Sequence, residues 1–273
     1  KYAFIFPGQG SQTVGMGKEL AEQFPKAKEI LNQADDILGF SLTDLMFNGH
    51  EEELNDTYNT QPALLTHSIA ALTVFKDELP EIQPTFTAGH SMGELSALVA
   101  SEALDFEAGL LLARKRGELM KKAGEVSPGS MAALIGLEAD KVLELCASIT
   151  ASGKLVQLAN DNCPGQIVVS GENAGIDEIL VHAKEAGAKI AKKLAVSIAA
   201  HSKLMEPVQA EFVEAVEAAG IATPSTPIIG NVNAQPLTTT DEIKADLAAQ
   251  LNSQVRWTES IQFLVTQDVG SFI

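Results

Sequence analysis

Thr85-Phe86-Thr87-Ala88-Gly89-His90-Ser91-Met92-Gly93-Glu94-Leu95-Ser96-Ala97-Leu98-Val99-Ala100 is the stretch on which the fold turns. Thr85 to Ala88 reads as a short strand, and Glu94 to Ala103 as a helix with apolar residues at helical spacing. Between them, Gly89-x-Ser91-x-Gly93 fits the sharp strand-to-helix turn that lifts a serine hydroxyl to the start of a helix. Gly-x-Ser-x-Gly alone is weak: with glycine at about 7% of residues, chance supplies it in roughly one chain in ten of this length. The strand before it and the helix after it are the context the motif requires. In that setting Ser91 is a candidate nucleophile, and the helix dipole with the N–H of Met92 would stabilise an oxyanion beside it. The plainer alternative is a glycine-rich turn with an N-capping serine.

Outward from this turn, strands alternate with helices. Ala3 to Phe6 reads as a strand ending at Pro7-Gly8. Helical spacing then runs from Met16 to Leu38 with a break at Pro25, and again from Gln61 to Leu79 with Pro62 near the first turn. A further helix is expected over Phe106 to Ala123. From about Glu125 the texture changes. Met131 to Leu137 reads as a strand and Asp140 to Thr150 as a helix. Leu155 to Ala159 and Gln166 to Ser170 read as strands joined by the turn Asn162-Cys163-Pro164-Gly165. A helix over Ile176 to Ala186 and a strand over Ala188 to Val196 follow. That β-α-β-β-α-β order is the ferredoxin-like pattern. After it come a helix from Ser202 to Ala219, a strand near Pro227 to Asn231, a helix over Asp241 to Leu251 and a strand at Val269 to Ile273. The expected fold is therefore α/β: an α/β-hydrolase-like core with a mainly parallel sheet in residues 1–124 and 197–273, and an inserted ferredoxin-like subdomain in 125–196.

The bulk properties restrict the function classes. The 273 residues are 45% hydrophobic and 20% charged, enough for a sizeable core. No apolar run approaches the ~18 residues needed to span a bilayer. The short run Tyr2 to Phe6 leads into Pro7-Gly8 as a strand would, not as a signal peptide, and a cytoplasmic protein is expected. A net charge of −17 argues against nucleic acid or an anionic membrane as partner. Cys146 and Cys163 have neither metal-ligand nor redox spacing and are expected to be free thiols.

A serine hydroxyl needs a base, and the five histidines are His50, His67, His90, His182 and His201. His90 lies inside the turn and would point away from the Ser91 hydroxyl. His50 falls in a polar loop, while His67 and His182 fall inside helices. His201, where the inserted module ends and a helix begins, remains by elimination; a helix-capping histidine is its plainer reading. Phe6-Pro7-Gly8-Gln9-Gly10-Ser11-Gln12 closes the first strand. Thr13 stands where a dinucleotide loop needs its third glycine. A tight turn lending the Gln9 main-chain N–H as a second oxyanion donor is the better reading, with an ordinary β-turn as the alternative.

Several segments in order resemble the malonyl-CoA:acyl carrier protein transacylase family of bacterial type II fatty-acid synthesis. They are Phe6 to Gln12, Thr60-Gln61-Pro62-Ala63-Leu64, Gly89 to Glu94, Arg116-Gly117, Met131-Ala132-Ala133, Pro164-Gly165-Gln166-Ile167-Val168 and Ser197-Ile198-Ala199-Ala200-His201. The resemblance implies Ser91 as nucleophile, His201 as base, and the main-chain N–H groups of Gln9 and Met92 as oxyanion donors. It implies that the Gln250 main-chain carbonyl orients His201, that Arg116 binds the malonyl carboxylate, and that Asn160 and Asn162 line the cleft. From charge pattern alone Arg116 would be one solvated residue of Arg114-Lys115-Arg116. The implied substrates are malonyl-CoA and the phosphopantetheine thiol of acyl carrier protein, with no metal or further cofactor, and a monomer is expected. The family continues past the point where Ile273 falls, so a longer parent chain is expected.

Acyl carrier proteins are acidic, so docking on a chain of this charge would need a local positive patch. Lys184, Lys189, Lys192 and Lys193 are the densest candidates, and a solvated helix and strand edge is an equally good reading of them. Two other functions stay open on the residues alone. A serine hydrolase would use the same Ser91, with Asp161 or Asp177 falling between serine and histidine in order. A docking module that has lost turnover would keep the fold without the chemistry.

Overall fold

The computed structural model describes residues 1–196 and 198–273. Ser197, the first residue of the matched segment ending at His201, lies outside the described residues. β1 (Tyr2–Phe6) is followed by α1 (Lys18–Gln23) and α2 (Pro25–Leu38). Pro25 sits in the first turn of α2, where its missing N–H costs nothing, so the expected break becomes a helix start. Two helices of under two turns, α3 (Leu42–Asn48) and α4 (Glu51–Asn55), fill a stretch read as loop, and His50 precedes the second as its N-cap residue.

α5 (Thr57–Glu78) begins four residues before the expected Gln61, which places Pro62 inside the helix. Proline cannot donate to the carbonyl four residues back. The carbonyl concerned, Tyr58, instead accepts from Arg114 Nη1 at 3.1 Å. β2 (Pro84–Gly89), α6 (Gly93–Ala100) and α7 (Phe106–Val126) follow as the sequence indicates.

The insert comprises β3 (Gly129–Ile135), α8 (Ala139–Ala151), β4 (Val156–Cys163), β5 (Gln166–Glu172), α9 (Asn173–Glu185) and β6 (Ile190–Lys193). β4 runs further than expected because Cys163 still pairs with Gln166. The turn shrinks to Pro164-Gly165, with Gly165 at φ 78°, and Asn162 becomes a strand residue. β6 is correspondingly shorter than the expected Ala188 to Val196. The helix expected from Ser202 divides into a 3-10 turn at Lys203–Met205 and α10 (Glu206–Ala218), whose first turn holds Pro207. The chain closes with β7 (Ile228–Ile229), β8 (Pro236–Leu237), α11 (Thr240–Gln250), α12 (Trp257–Thr266) and β9 (Ser271–Phe272).

Two sheets result. The larger has the order β8-β7-β2-β1-β9, parallel throughout except for β8. The smaller has the order β4-β5-β3-β6 and is wholly antiparallel. It buries Leu134, Val142, Ile149, Val156, Val169 and Ile179 in a core of its own with α8 and α9, as a ferredoxin-like unit should. A seam joins β4 to the larger body. Asp161 N–H donates to the Val255 carbonyl at 3.0 Å, and Val255 N–H to the Ala159 carbonyl at 2.8 Å. Cys146 is buried and Cys163 exposed, and both are free thiols. Among the described residues no helix is long and apolar enough to cross a membrane.

Candidate active site

β2 ends at Gly89 and α6 begins at Gly93, so the chain reverses within three residues. A Cβ on Gly89 would stand 1.9 Å from the Gly93 carbonyl oxygen, and one on Gly93 would stand 2.4 Å from the Phe6 oxygen. Only glycine permits both approaches. The turn holds Ser91 at φ 53°, a left-handed backbone that L-residues avoid. Strain of this kind persists where the surroundings over-determine the geometry.

The strained turn aims Ser91 Oγ at His201 Nε2, 2.8 Å away. His201 lies just past the small sheet, also at positive φ (58°). Its Nδ1 is 2.9 Å from the Gln250 carbonyl. A carbonyl only accepts, so Nδ1 carries the proton and Nε2 offers its lone pair to the serine hydroxyl. Burial, and secondarily the charge of Arg116, push the imidazole pKa down to about 3. The ring is therefore neutral at pH 7.

Arg116 on α7 is 1% exposed. Its Nη2 donates to Ser91 Oγ at 3.1 Å and to Gln250 Oε1 at 2.8 Å. Its Nη1 donates to Gln61 Oε1 at 2.9 Å and approaches Met120 Sδ at 3.3 Å. Among the described residues its Nε has no partner. Burial lowers the guanidinium pKa to about 10, so it stays charged at neutral pH. A buried cation whose fork reaches the nucleophilic oxygen is a ready partner for a carboxylate.

Ser91, His201 and Arg116 line one cavity of about 300 Å³ together with Gln9, Met92, Asn160 and Asn162. Among the described residues, the main-chain N–H groups of Gln9 and Met92 have no hydrogen-bond acceptor. The Gln9 side chain accepts from Thr57 Oγ1 at 2.9 Å. Asn162 Oδ1 lies 2.8 Å from His90 Nε2, and the His90 ring meets Trp257 edge-on at 5.6 Å, leaving Ser91 Oγ to His201. Met131, Val168, Ile198 and Ala200 form an apolar wall.

The four lysines do not form one face. Lys193 pairs across the sheet with Ala132, on the side covered by helices, and its ammonium meets Asp177 of α9 at 3.3 Å. Lys192 pairs with Ala133 and faces the opposite way, like Leu194, which lines the cavity. Lys184 lies in the last turn of α9, and Lys189 precedes β6. Sequence reasoning missed Gln61 as a guanidinium partner, and it missed Asn231, Glu94 and Asp246, buried close to Ser91. Glu94 alone left a signal, being the one charged residue in the otherwise apolar or small run of α6.

Carrying an acyl group on a serine oxygen is the chemistry these side chains share, and the chain as a whole agrees: residues 3–273 match the family described as acyl transferase domain. Within that class the likeness is narrower. Malonyl CoA-acyl carrier protein transacylase of Bacillus subtilis is 49% identical over 273 residues, all of this chain and 86% of that protein. The solved transacylase of the same description from Coxiella burnetii superposes with a TM-score of 0.96 at 39% identity, covering all of this chain and 85% of the other. A malonyl-transacylase solved in complex with its type II PKS acyl-carrier protein gives a TM-score of 0.96 at 38% identity, covering all of this chain and 87% of the other. The chain belongs to the malonyl CoA-acyl carrier protein transacylase family.

Proposed function

We infer that this protein moves the malonyl group from malonyl-CoA to the phosphopantetheine thiol of acyl carrier protein through an ester on Ser91. The observation that carries this reading is the shared oxygen: Ser91 Oγ meets both a neutral imidazole and a buried guanidinium. The first supports nucleophilic attack, and the second supports a substrate bearing a carboxylate.

In the first half-reaction His201 Nε2 takes the hydroxyl proton as Ser91 Oγ attacks the thioester carbon. The main-chain N–H groups of Gln9 and Met92 receive the developing oxyanion. Collapse breaks the carbon–sulfur bond, and the CoA sulfur leaves with the proton held by His201. In the second half the carrier thiol gives its proton to Nε2, its sulfur attacks the ester, and Ser91 Oγ departs reprotonated. Gln250 keeps the imidazole in the required tautomer throughout. Arg116 takes the malonyl carboxylate, which would otherwise be buried unpaired at a cost of several kcal/mol. Neutralising Arg116 also removes one of the influences that depress the His201 pKa, so the base strengthens when the correct acyl group arrives.

Asn160 and Asn162 would border the acyl arm. Lys184, Lys189, Lys192 and Lys193 are proposed to meet the acidic carrier, Lys192 from the sheet face it shares with Leu194. The catalytic body is assigned to residues 1–124 and 197–273 and the small subdomain to 125–196, and the protein is proposed to act as a cytoplasmic monomer. Intact-mass spectrometry after brief mixing with malonyl-CoA tests the central reading. A malonyl adduct that disappears in Ser91→Ala and is much weaker with acetyl-CoA supports it. Rapid CoA release with no adduct would point to hydrolysis instead.

A further inference from the structure

Beneath the nucleophile lies a buried polar network that those steps leave unused. Asn231 follows β7, and its side-chain amide spans the turn: Oδ1 accepts from Ser91 N–H at 2.7 Å, and Nδ2 donates to the Gly89 carbonyl at 2.7 Å. The main-chain N–H groups of Asn231 and Val232 donate to the two oxygens of Asp246, each at 3.2 Å. Asp246 on α11 meets Glu94 on α6. One turn along α11, Gln250 Nε2 donates to Glu94 Oε2 and to the Ser91 carbonyl, the latter at 3.1 Å. Its Oε1 receives Arg116 and its carbonyl receives His201. Glu94, Asn231 and Gln250 are each 1% exposed, and Asp246 is 5% exposed.

Two carboxyl groups in contact and away from water cannot both ionise. Asp246 already accepts two main-chain N–H groups, which favour its charged form. Glu94 has none, and burial followed by the charge of Asp246 holds its pKa well above the usual range. The proton of the pair therefore sits on Glu94, which donates to Asp246 and accepts from Gln250. The charged group opposite is Arg116 on α7, and the remaining neighbours, Gln250, Asn231 and Ser91, are neutral.

We propose that Asn231 and the Glu94–Asp246 pair are positioning residues for the transfer. Asn231 locks the left-handed turn at Ser91, and Glu94, held by Asp246, fixes the Gln250 side chain so that Arg116 and His201 meet at one oxygen. The inference rests on Ser91 being the nucleophile. It also explains why Asn231 takes the N–H of Ser91 while that of Met92 is left for the oxyanion.

The test is the quench-flow rate of Ser91 malonylation in four proteins: wild type, Asn231→Ala, Glu94→Ala and Glu94→Gln. Misplacing a reacting group by about 1 Å costs on the order of 100-fold. Asn231→Ala and Glu94→Ala are each expected to lose at least about tenfold in the maximal rate, with KM for malonyl-CoA little changed. Glutamine at 94 can donate to Asp246 and accept from Gln250, as a protonated glutamate does. It is expected to recover most of the loss in Glu94→Ala. The wild-type rate should decline as rising pH ionises Glu94, and Glu94→Gln should lack that decline until Arg116 itself titrates near pH 10. If Asn231→Ala does not fold, the two Glu94 variants and their pH profiles decide. A Gln variant as slow as the Ala variant, or pH profiles that superimpose, overturns the proposal. Wild type that labels no faster than Asn231→Ala overturns the positioning role alone, whereas wild type that never labels overturns the functional reading with it.

Discussion

Arg116→Ala asks where selectivity for a malonyl group originates. In the free protein the guanidinium donates through Nη1 and Nη2 to Gln61, Gln250 and Ser91 Oγ at 2.8 to 3.1 Å. A bound carboxylate would take two such charge-assisted bonds, each worth about 1.5–3 kcal/mol. Their loss removes about 3–6 kcal/mol, and at 1.36 kcal/mol per decade kcat/KM for malonyl-CoA should fall on the order of 10²–10⁴-fold. Acetyl-CoA has no carboxylate to lose, and removing the cation lifts one of the causes that hold His201 near pKa 3. Its kcat/KM should change by less than about tenfold, so selectivity collapses by nearly the whole malonyl factor. The assay is stopped-flow release of CoA detected with a thiol reagent, run with both thioesters. Arg116→Met, which keeps more of the buried volume beside Met120, separates lost charge from lost packing. A malonyl effect under about fivefold, or equal losses with both substrates, would refute the assignment of Arg116.

His201 is held neutral with its pKa near 3, while in the unfolded chain it titrates near 6.5. Between those values the unfolded state binds the extra proton, so stability falls as pH drops below 6.5, by up to about 1.4 kcal/mol per pH unit; urea midpoints at pH 6.5 and 5 should show a steeper loss in wild type than in His201→Gln. Because Ser91 sits at φ 53°, Ser91→Gly should melt above Ser91→Ala, the left-handed backbone costing alanine about 1–2 kcal/mol; equal melting temperatures would mean that the turn is not strained. Reversing Lys189 and Lys192 to Glu should raise KM for the carrier protein several-fold at low salt and leave the malonyl-CoA half-reaction unchanged. An unaltered carrier KM would remove these lysines from the docking surface.

What was legible follows from how local each signal is. The Ser91 turn could be read because a glycine–serine–glycine turn between a strand and a helix is a local pattern: Gly89 is dictated by the backbone of Gly93 and Glu94, four and five residues on, although Gly93 answers to Phe6 and Pro7 of the neighbouring strand end. The insert could be read because β3 to β6 are long enough to display their periodicity. α3 and α4, each under two turns, were not. α12 was also missed, although Trp257, Ile261 and Leu264 lie on helical spacing within it. Pro62 misled because a proline normally marks a first turn; here Arg114, distant in sequence, takes the freed carbonyl. Arg116 looked solvated in a basic run, and its burial depends on Gln61 and Gln250, which lie 55 and 134 residues away. Asn231 follows a strand of only two residues, and nothing local marks it as the clamp on the turn.

The seam between β4 and Val255 has a mechanical consequence. An insert joined only by its two chain crossings could swing like a flap, and the gap beneath it would vary from moment to moment. Main-chain bonds at Ala159 and Asp161 fasten the edge strand farthest along the sheet from β6, so the insert is pinned on both flanks. Asn160, between those bonds, is a wall of the cavity on a fixed mount. The spacing between that wall and Ser91 is thus set before any thioester arrives, and little of the binding energy is consumed in closing a loose jaw.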